Sequence, residues 1–215
     1  LATIAKNDDV IGSLKIQPSR LQFQFSAETD FNHEKKLHLV RRLDWRFLLP
    51  NPNLARVVYL GQPDSELTTA LQHFANYFEI LHSDTPSRRP FDLAVVHSPR
   101  IADAIAAFDL IGDGGFLYWE IVHKSHFASA KLGANMRVLM KAGFKNIEAH
   151  WHRPNFAKAL DIVPVFDETA LAYFFSPDRG DRKKSAAGRF LKYTGLLKFA
   201  MKSVSVVATK IENVK

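Results

Sequence analysis

A mostly parallel α/β sheet is the fold this chain predicts, and three observations predict it. Short apolar runs rich in β-branched and aromatic residues recur at 57–60, 77–81, 91–96 and 116–122. Helix-compatible segments at 65–76, 101–110 and 128–142 separate these runs or follow the last of them. Two further strand-like runs, 144–151 and 159–166, then follow one another with no helix between them. Strand–helix alternation argues a parallel sheet covered on both faces, and the closing pair argues an antiparallel hairpin at one edge. The expected architecture is a three-layer α/β sandwich.

Taken in order, the first readable stretch is Leu21 to Phe25, where apolar residues alternate with glutamines. That pattern suits an arm over a site or, as favoured here, a half-buried edge strand. Asp30 or Asn32 caps a helix reaching Phe47, with Leu37, Val40, Leu43 and Phe47 as its apolar stripe and Pro50 as its stop. Lys35, Lys36, Arg41 and Arg42 lie largely off that stripe and read as a solvated face, as favoured here, or as a basic patch for an anionic substrate. Gly61 ends the first strand, and Pro63, Asp64 and Ser65 start the next helix. A strand, a tight turn and a helix N-terminus make half of a nucleotide-binding βαβ unit, although a dinucleotide fingerprint needs several glycines and this turn has one. Asp84 follows the second strand, and 86–90 is a turn-rich connection. Leu132, Met136, Leu139 and Met140 share a face of the last such helix, which Gly143 stops.

Composition narrows the class. Apolar content of 47% with 24% charged residues is ordinary globular usage. There is no cysteine, hence no disulfide framework and no thiolate ligand or nucleophile, which fits a reducing compartment. No signal peptide and no membrane-length apolar run is evident, so a cytoplasmic setting is expected. Residues 182–215 hold nine Lys/Arg against one acid, Glu212, whereas residues 1–181 hold 20 bases and 21 acids. The chain is thus a near-neutral domain with a basic tail, and without a reader motif a nucleic-acid role is not expected.

Four motifs carry a resemblance. Val57-Val-Tyr-Leu-Gly61, Phe91-Asp-Leu-Ala-Val-Val96, Gly114-Gly-Phe-Leu-Tyr118 and Leu139-Met-Lys-Ala-Gly-Phe144 occur in this order. Together, over about residues 54–167, they resemble the class I S-adenosylmethionine-dependent methyltransferases. The resemblance implies a Rossmann-like sheet ending in an antiparallel hairpin. Between Asp84 and Phe91 there is no room for the strand and helix that the family has there, so a sheet shortened from the usual seven strands is expected. That absent unit usually supplies the acid that holds the adenine amino group. The implied cofactor is S-adenosylmethionine, with Gly61, Gln62, Pro63 and Asp64 at its amino-acid portion and Asp84 at the ribose. The implied activity is methyl transfer to a small-molecule or a lipid- or saccharide-linked acceptor. The alternative is a non-catalytic relative that binds a partner, which the altered glycine turn favours. The division expected is 1–53 as arm and helix, 54–177 as the α/β domain, and 178–215 as a basic linker and helix.

Acceptor-side residues follow from geometry. Open α/β sheets bind ligands outside the carboxyl ends of their strands. His97, at such an end, is a candidate base, with Ser98 beside it; a loop histidine capping the next helix is the equal alternative. Glu120 and His123 lie at the end of the next strand, Glu120 as a substrate contact and His123 as a second catalytic candidate. His150 and His152 share one face of a strand. With His123 or His126 they would approach a metal site, but no carboxylate at ligand spacing accompanies them, so they read as substrate-facing or structural and no metal is expected. In the tail, Phe190, Tyr193, Leu197, Met201, Val204, Ala208 and Ile211 form a helical stripe with lysines on other faces. A helix over 186–215 would pack on its own domain, or meet an anionic membrane surface or a protein partner, making the protein peripheral to a membrane.

Overall fold

In a computed structural model of the chain, residues 33–81, 89–122, 131–179 and 182–211 are described. They form one seven-stranded sheet in the order β2-β1-β3-β4-β7-β5-β6. The parallel half comprises β1 (Arg56–Gly61), β2 (Tyr77–Ile80), β3 (Phe91–His97) and β4 (Ile111–Ile121). The apolar runs of β1, β3 and β4 are buried on both faces, as a covered parallel sheet requires, whereas the edge strand β2 is half-buried, with Tyr77 and Ile80 exposed. β5 (Phe144–Arg153) and β6 (Asp161–Pro164) form the expected antiparallel pair.

Helices α1 (His33–Arg42) and α2 (Ser65–Phe74) cover one face. Leu39, Leu43, Trp45, Leu67 and Leu71 pack there on Val57, Tyr59, Leu93, Val95 and Tyr118. The other face carries α3 (Ile101–Leu110), α4 (Leu132–Lys141), α5 (Glu168–Phe174) and the short α7 (Leu197–Ala200). Ala104, Leu139, Leu171 and Leu197 meet Val58, Val96, Trp119 and Val206 in that layer. Alternate residues of each strand serve opposite layers, which is the period-2 geometry of a strand.

The tail departs from expectation. Residues 182–211 are not one helix but α6 (Arg182–Tyr193), α7 and then β7 (Val204–Lys210). β7 lies inside the sheet, antiparallel to both β4 and β5. The helical stripe through Val204 and Ala208 is a coincidence of spacing. Val204 to Ala208 are all buried, and a strand covered on both faces shows no period-2 alternation to compete with it. The β-branched run Val204, Val206, Val207 and Thr209 is the signal that favours a strand. The sheet is therefore not short in strand number, and the expected boundary at 178 falls away because the tail completes the sheet. The boundary at 53 falls away similarly, because α1 shares a core with β1.

A second correction concerns α1. It ends at Arg42, and a 3-10 turn over Asp44–Leu48 breaks the helical phase. Leu39, Arg42, Leu43 and Trp45 point inward, whereas Leu37 and Phe47 are exposed. Arg42 thus leaves the expected solvated face, while Lys35, Lys36 and Arg41 remain on it. Among the described residues, no helix is long and apolar enough to cross a membrane.

Candidate functional site

The carboxyl ends of β1, β3 and β4 converge on one charged cluster. Gly61 closes β1 at φ +107°, and a Cβ built there would lie 2.4 Å from the His97 carbonyl oxygen. Only glycine accommodates both conditions. The next residue, Gln62, donates its N–H to that same carbonyl at 2.8 Å, while its own carbonyl accepts from the Tyr59 hydroxyl. The turn is therefore clasped to β3 by its main chain. Asp64 caps α2, its Oδ1 accepting from the Leu67 N–H at 2.9 Å.

Arg42 reaches into this cluster from α1. Its Nη1 and Nη2 donate to Glu120 Oε1 and Oε2 at 2.6 and 2.7 Å, and Nη2 also donates to Asp64 Oδ2 at 3.0 Å. Arg42 and Glu120 are both fully enclosed. Such a bidentate, charge-assisted pair is geometrically demanding and holds both partners in place. Tyr118 donates to Glu120 Oε1 at 3.0 Å, and Trp45 stacks on the Tyr118 ring with centroids 3.7 Å apart.

His97 completes the arrangement, with Nδ1 at 2.7 Å from Glu120 Oε2 and Nε2 at 3.9 Å from Asp64 Oδ2. Burial pushes the Glu120 carboxyl up, but the Arg42 charge and hydrogen bonds, with those of His97, outweigh it and bring the value down to about 2. Glu120 is thus a carboxylate at neutral pH and an acceptor for a proton carried on His97 Nδ1. With the proton there, Nε2 presents a lone pair toward Asp64 at the Gly61 turn, the orientation of a general base held by a carboxylate. Burial, reinforced by Glu120, raises the Tyr118 phenol, so Tyr118 is a hydrogen-bond donor here.

Asp64, His97 and Glu120 each place one ligand atom within 4.8 Å of the others. Because both Glu120 oxygens and Asp64 Oδ2 already accept from Arg42, the guanidinium supplies the positive charge of this cluster.

The remaining sequence-predicted residues divide clearly. Ser98 is buried, its hydroxyl bonded to Asp103 and to the Arg100 N–H, so it organises the start of α3 and is not presented to a substrate. Glu120 is also enclosed, its carboxylate bonded to Arg42, Tyr118 and His97 and not presented to solvent. His150 and His152 do share one face of β5, and both are buried. His152 Nε2 lies 2.8 Å from Ser205 Oγ, and burial brings its value down to about 4 despite the opposing pull of Glu120. His150 Nε2 is 3.7 Å from Glu148 Oε2, and burial lowers this imidazole too. Asp84, His123 and His126 lie outside the described residues. Sequence reasoning missed Arg42, Tyr118 and Ser205. Arg42 was legible only through a helical phase set by Leu39 and Leu43.

A cavity of about 480 Å³ lies elsewhere, lined by Ala55, Phe91 and the Gly112–Phe116 bend. It sits at the amino ends of β1 and β3, away from the end where open α/β sheets bind ligands.

No protein-family model matches the chain, and no curated protein sequence matches it. Solved structures do. One is an S-adenosylmethionine-dependent methyltransferase from Archaeoglobus fulgidus, at 11% identity over 82% of this chain and 94% of the other, with a TM-score of 0.48. A second, from Thermotoga maritima, is also an S-adenosylmethionine-dependent methyltransferase, at 13% identity over 82% and 90%, with a TM-score of 0.42. Phosphoethanolamine N-methyltransferase 2 of Haemonchus contortus, solved with S-adenosylhomocysteine, matches at 12% identity over 84% and 53%, with a TM-score of 0.41. The sheet order and strand directions described above define a three-layer α/β fold of Rossmann-like architecture.

Proposed function

We propose that the chain transfers a methyl group from S-adenosylmethionine to a small-molecule acceptor whose reacting O–H or N–H is deprotonated by His97. The observation that carries this reading is the His97–Glu120–Arg42 chain at the carboxyl ends of β3 and β4, beside the turn that ends β1. The bound cofactor would supply an electrophilic methyl on a sulfonium that leaves as a neutral thioether. His97 Nε2 takes the acceptor proton, and Glu120 stabilises the imidazolium that results. Arg42 keeps Glu120 ionised and in place. Such positioning, with desolvation, is most of what methyl transfer asks of a protein.

The exposed surface of Gly61, Gln62 and Pro63 would meet the amino-acid portion of the cofactor, with the Gln62 carboxamide as a polar handle. Asp84 would hold the ribose, and His123 is a second catalytic candidate. An acceptor carried on a lipid or saccharide is compatible with this chemistry.

One observation favours a second reading, a non-catalytic relative that binds a partner. Both main-chain groups of Gln62 and the Asp64 carboxylate are engaged within the turn, where a cofactor would use them. Calorimetric titration with S-adenosylmethionine and S-adenosylhomocysteine separates the two. Micromolar binding, with methylation lost in His97→Asn while cofactor affinity persists, supports the enzyme. A folded sample that binds neither compound, alone or with candidate acceptors, supports the binding protein.

A further inference from the structure

The basic tail, relieved of its strand, leaves α6 as an outward-facing element. α6 sits tightly on the end of α5, since a Cβ at Gly188 would fall 2.1 Å from the Phe175 ring. Beside this contact a crevice of about 440 Å³ opens, lined by Leu171, Ala172, Phe175, Arg189, Lys192 and Tyr193. Large apolar side chains stand in solvent around it, with Tyr193 92% and Phe190 63% exposed. Residues 182–202 carry seven Lys/Arg and no acid. The acids of the adjoining elements are Asp167 and Glu168 at the start of α5, and Asp178.

We propose that this face docks on an anionic lipid surface, with the crevice taking apolar acyl matter and the exposed Arg189 meeting the headgroup charge, while the half-buried Lys192, whose Nζ donates to the Glu168 carbonyl at 3.3 Å, closes the crevice against α5. Two features favour lipid over an acidic peptide. Apart from the Tyr193 hydroxyl the crevice lining offers no side-chain acceptor, so a peptide laid in it would leave N–H groups unmatched, whereas an acyl chain brings none. Arg189, Phe190 and Tyr193 on the exposed side of α6 match the layering of a bilayer, with aromatics at headgroup level and the cation toward anionic phosphates. The inference goes beyond the proposed chemistry and stands whether or not the chain binds S-adenosylmethionine.

The test is sedimentation of the full chain with vesicles of phosphatidylcholine alone and of phosphatidylcholine mixed with phosphatidylserine. Binding is expected only to the mixture and should weaken as salt is raised. Arg189→Glu, which reverses the charge of an exposed side chain, should lower partitioning at least about fivefold. Tyr193→Ser, at a position almost wholly in solvent, should weaken binding without moving the thermal midpoint. Equal binding to both vesicle types, or unchanged partitioning of the charge-reversed variant, would overturn the proposal. So would capture of a polyglutamate peptide with no vesicle binding, which would make this a protein-docking face.

Discussion

Replacing Arg42 by Met removes one guanidinium and leaves Glu120 as a carboxylate enclosed by protein. In the native chain that carboxylate accepts two Arg42 bonds of 2.6 and 2.7 Å, and a third Arg42 bond steadies Asp64. Tyr118 and His97 remain as partners, but neither brings a permanent positive charge. Breaking a fully buried pair by removing one partner costs about 3–5 kcal/mol, against a total stability of about 5–15 kcal/mol for a domain. Urea unfolding of Arg42→Met at neutral pH should show that loss as a lower midpoint at unchanged slope. The loss should shrink in mild acid, because without Arg42 the Glu120 carboxyl rises and takes up a proton. Adding Glu120→Gln should recover most of the stability, since a neutral buried amide needs no counter-charge. A loss under about 1 kcal/mol for the single variant would refute the reasoning. A double variant no more stable than the single would refute it equally.

Gly61→Ala should cost at least about 2 kcal/mol through its left-handed backbone and the His97 carbonyl, and an unchanged urea midpoint would contradict this. Deleting residues 203–215 removes β7 and leaves β4 and β5 without their shared neighbour, so the product should lose its near-ultraviolet circular dichroism; a soluble chain that keeps that signal would show the strand to be dispensable. Acid should destabilise the protein in two stages. The His152 value lies at about 4 against an ordinary 6.5, so the unfolded chain binds a proton there first and stability falls as pH drops from 6.5 to 4. Glu120 lies at about 2 against an ordinary 4.5, so its contribution, complete above 4.5, is lost between 4.5 and 2. A melting temperature that stays level from neutral pH down to pH 4 would count against the burial of His152.

The candidate site was legible in part. His97 follows from a strand ending at a carboxyl edge, and the Gly61 turn follows from a glycine before a Pro-Asp-Ser helix start. Asp64 is legible as the start of α2, but the pairing of its carboxylate with Arg42 needs α1 folded over the sheet. Glu120 was noticed for its place in β4, yet its burial depends on α1 lying over the sheet. His150 and His152 were correctly set on one face, but the hydrogen bond from His152 to Ser205 required a strand that helical spacing had hidden.

Local pattern determined the elements of residues 56–166 in type and order, because short β-rich runs, capping residues and stop glycines act over a few neighbours. It also determined the closing hairpin. Tertiary structure decided what local pattern leaves degenerate. Val204 to Ala208 are covered on both faces and, but for Ser205, carry apolar side chains on either side, so β7 is compatible with a helical stripe until the gap between β4 and β5 selects the extended form. Arg42 is likewise indistinguishable from Arg41 by type. Only the buried carboxylate of Glu120, 78 residues away in the chain, makes one of them the centre of the site and leaves the other in water.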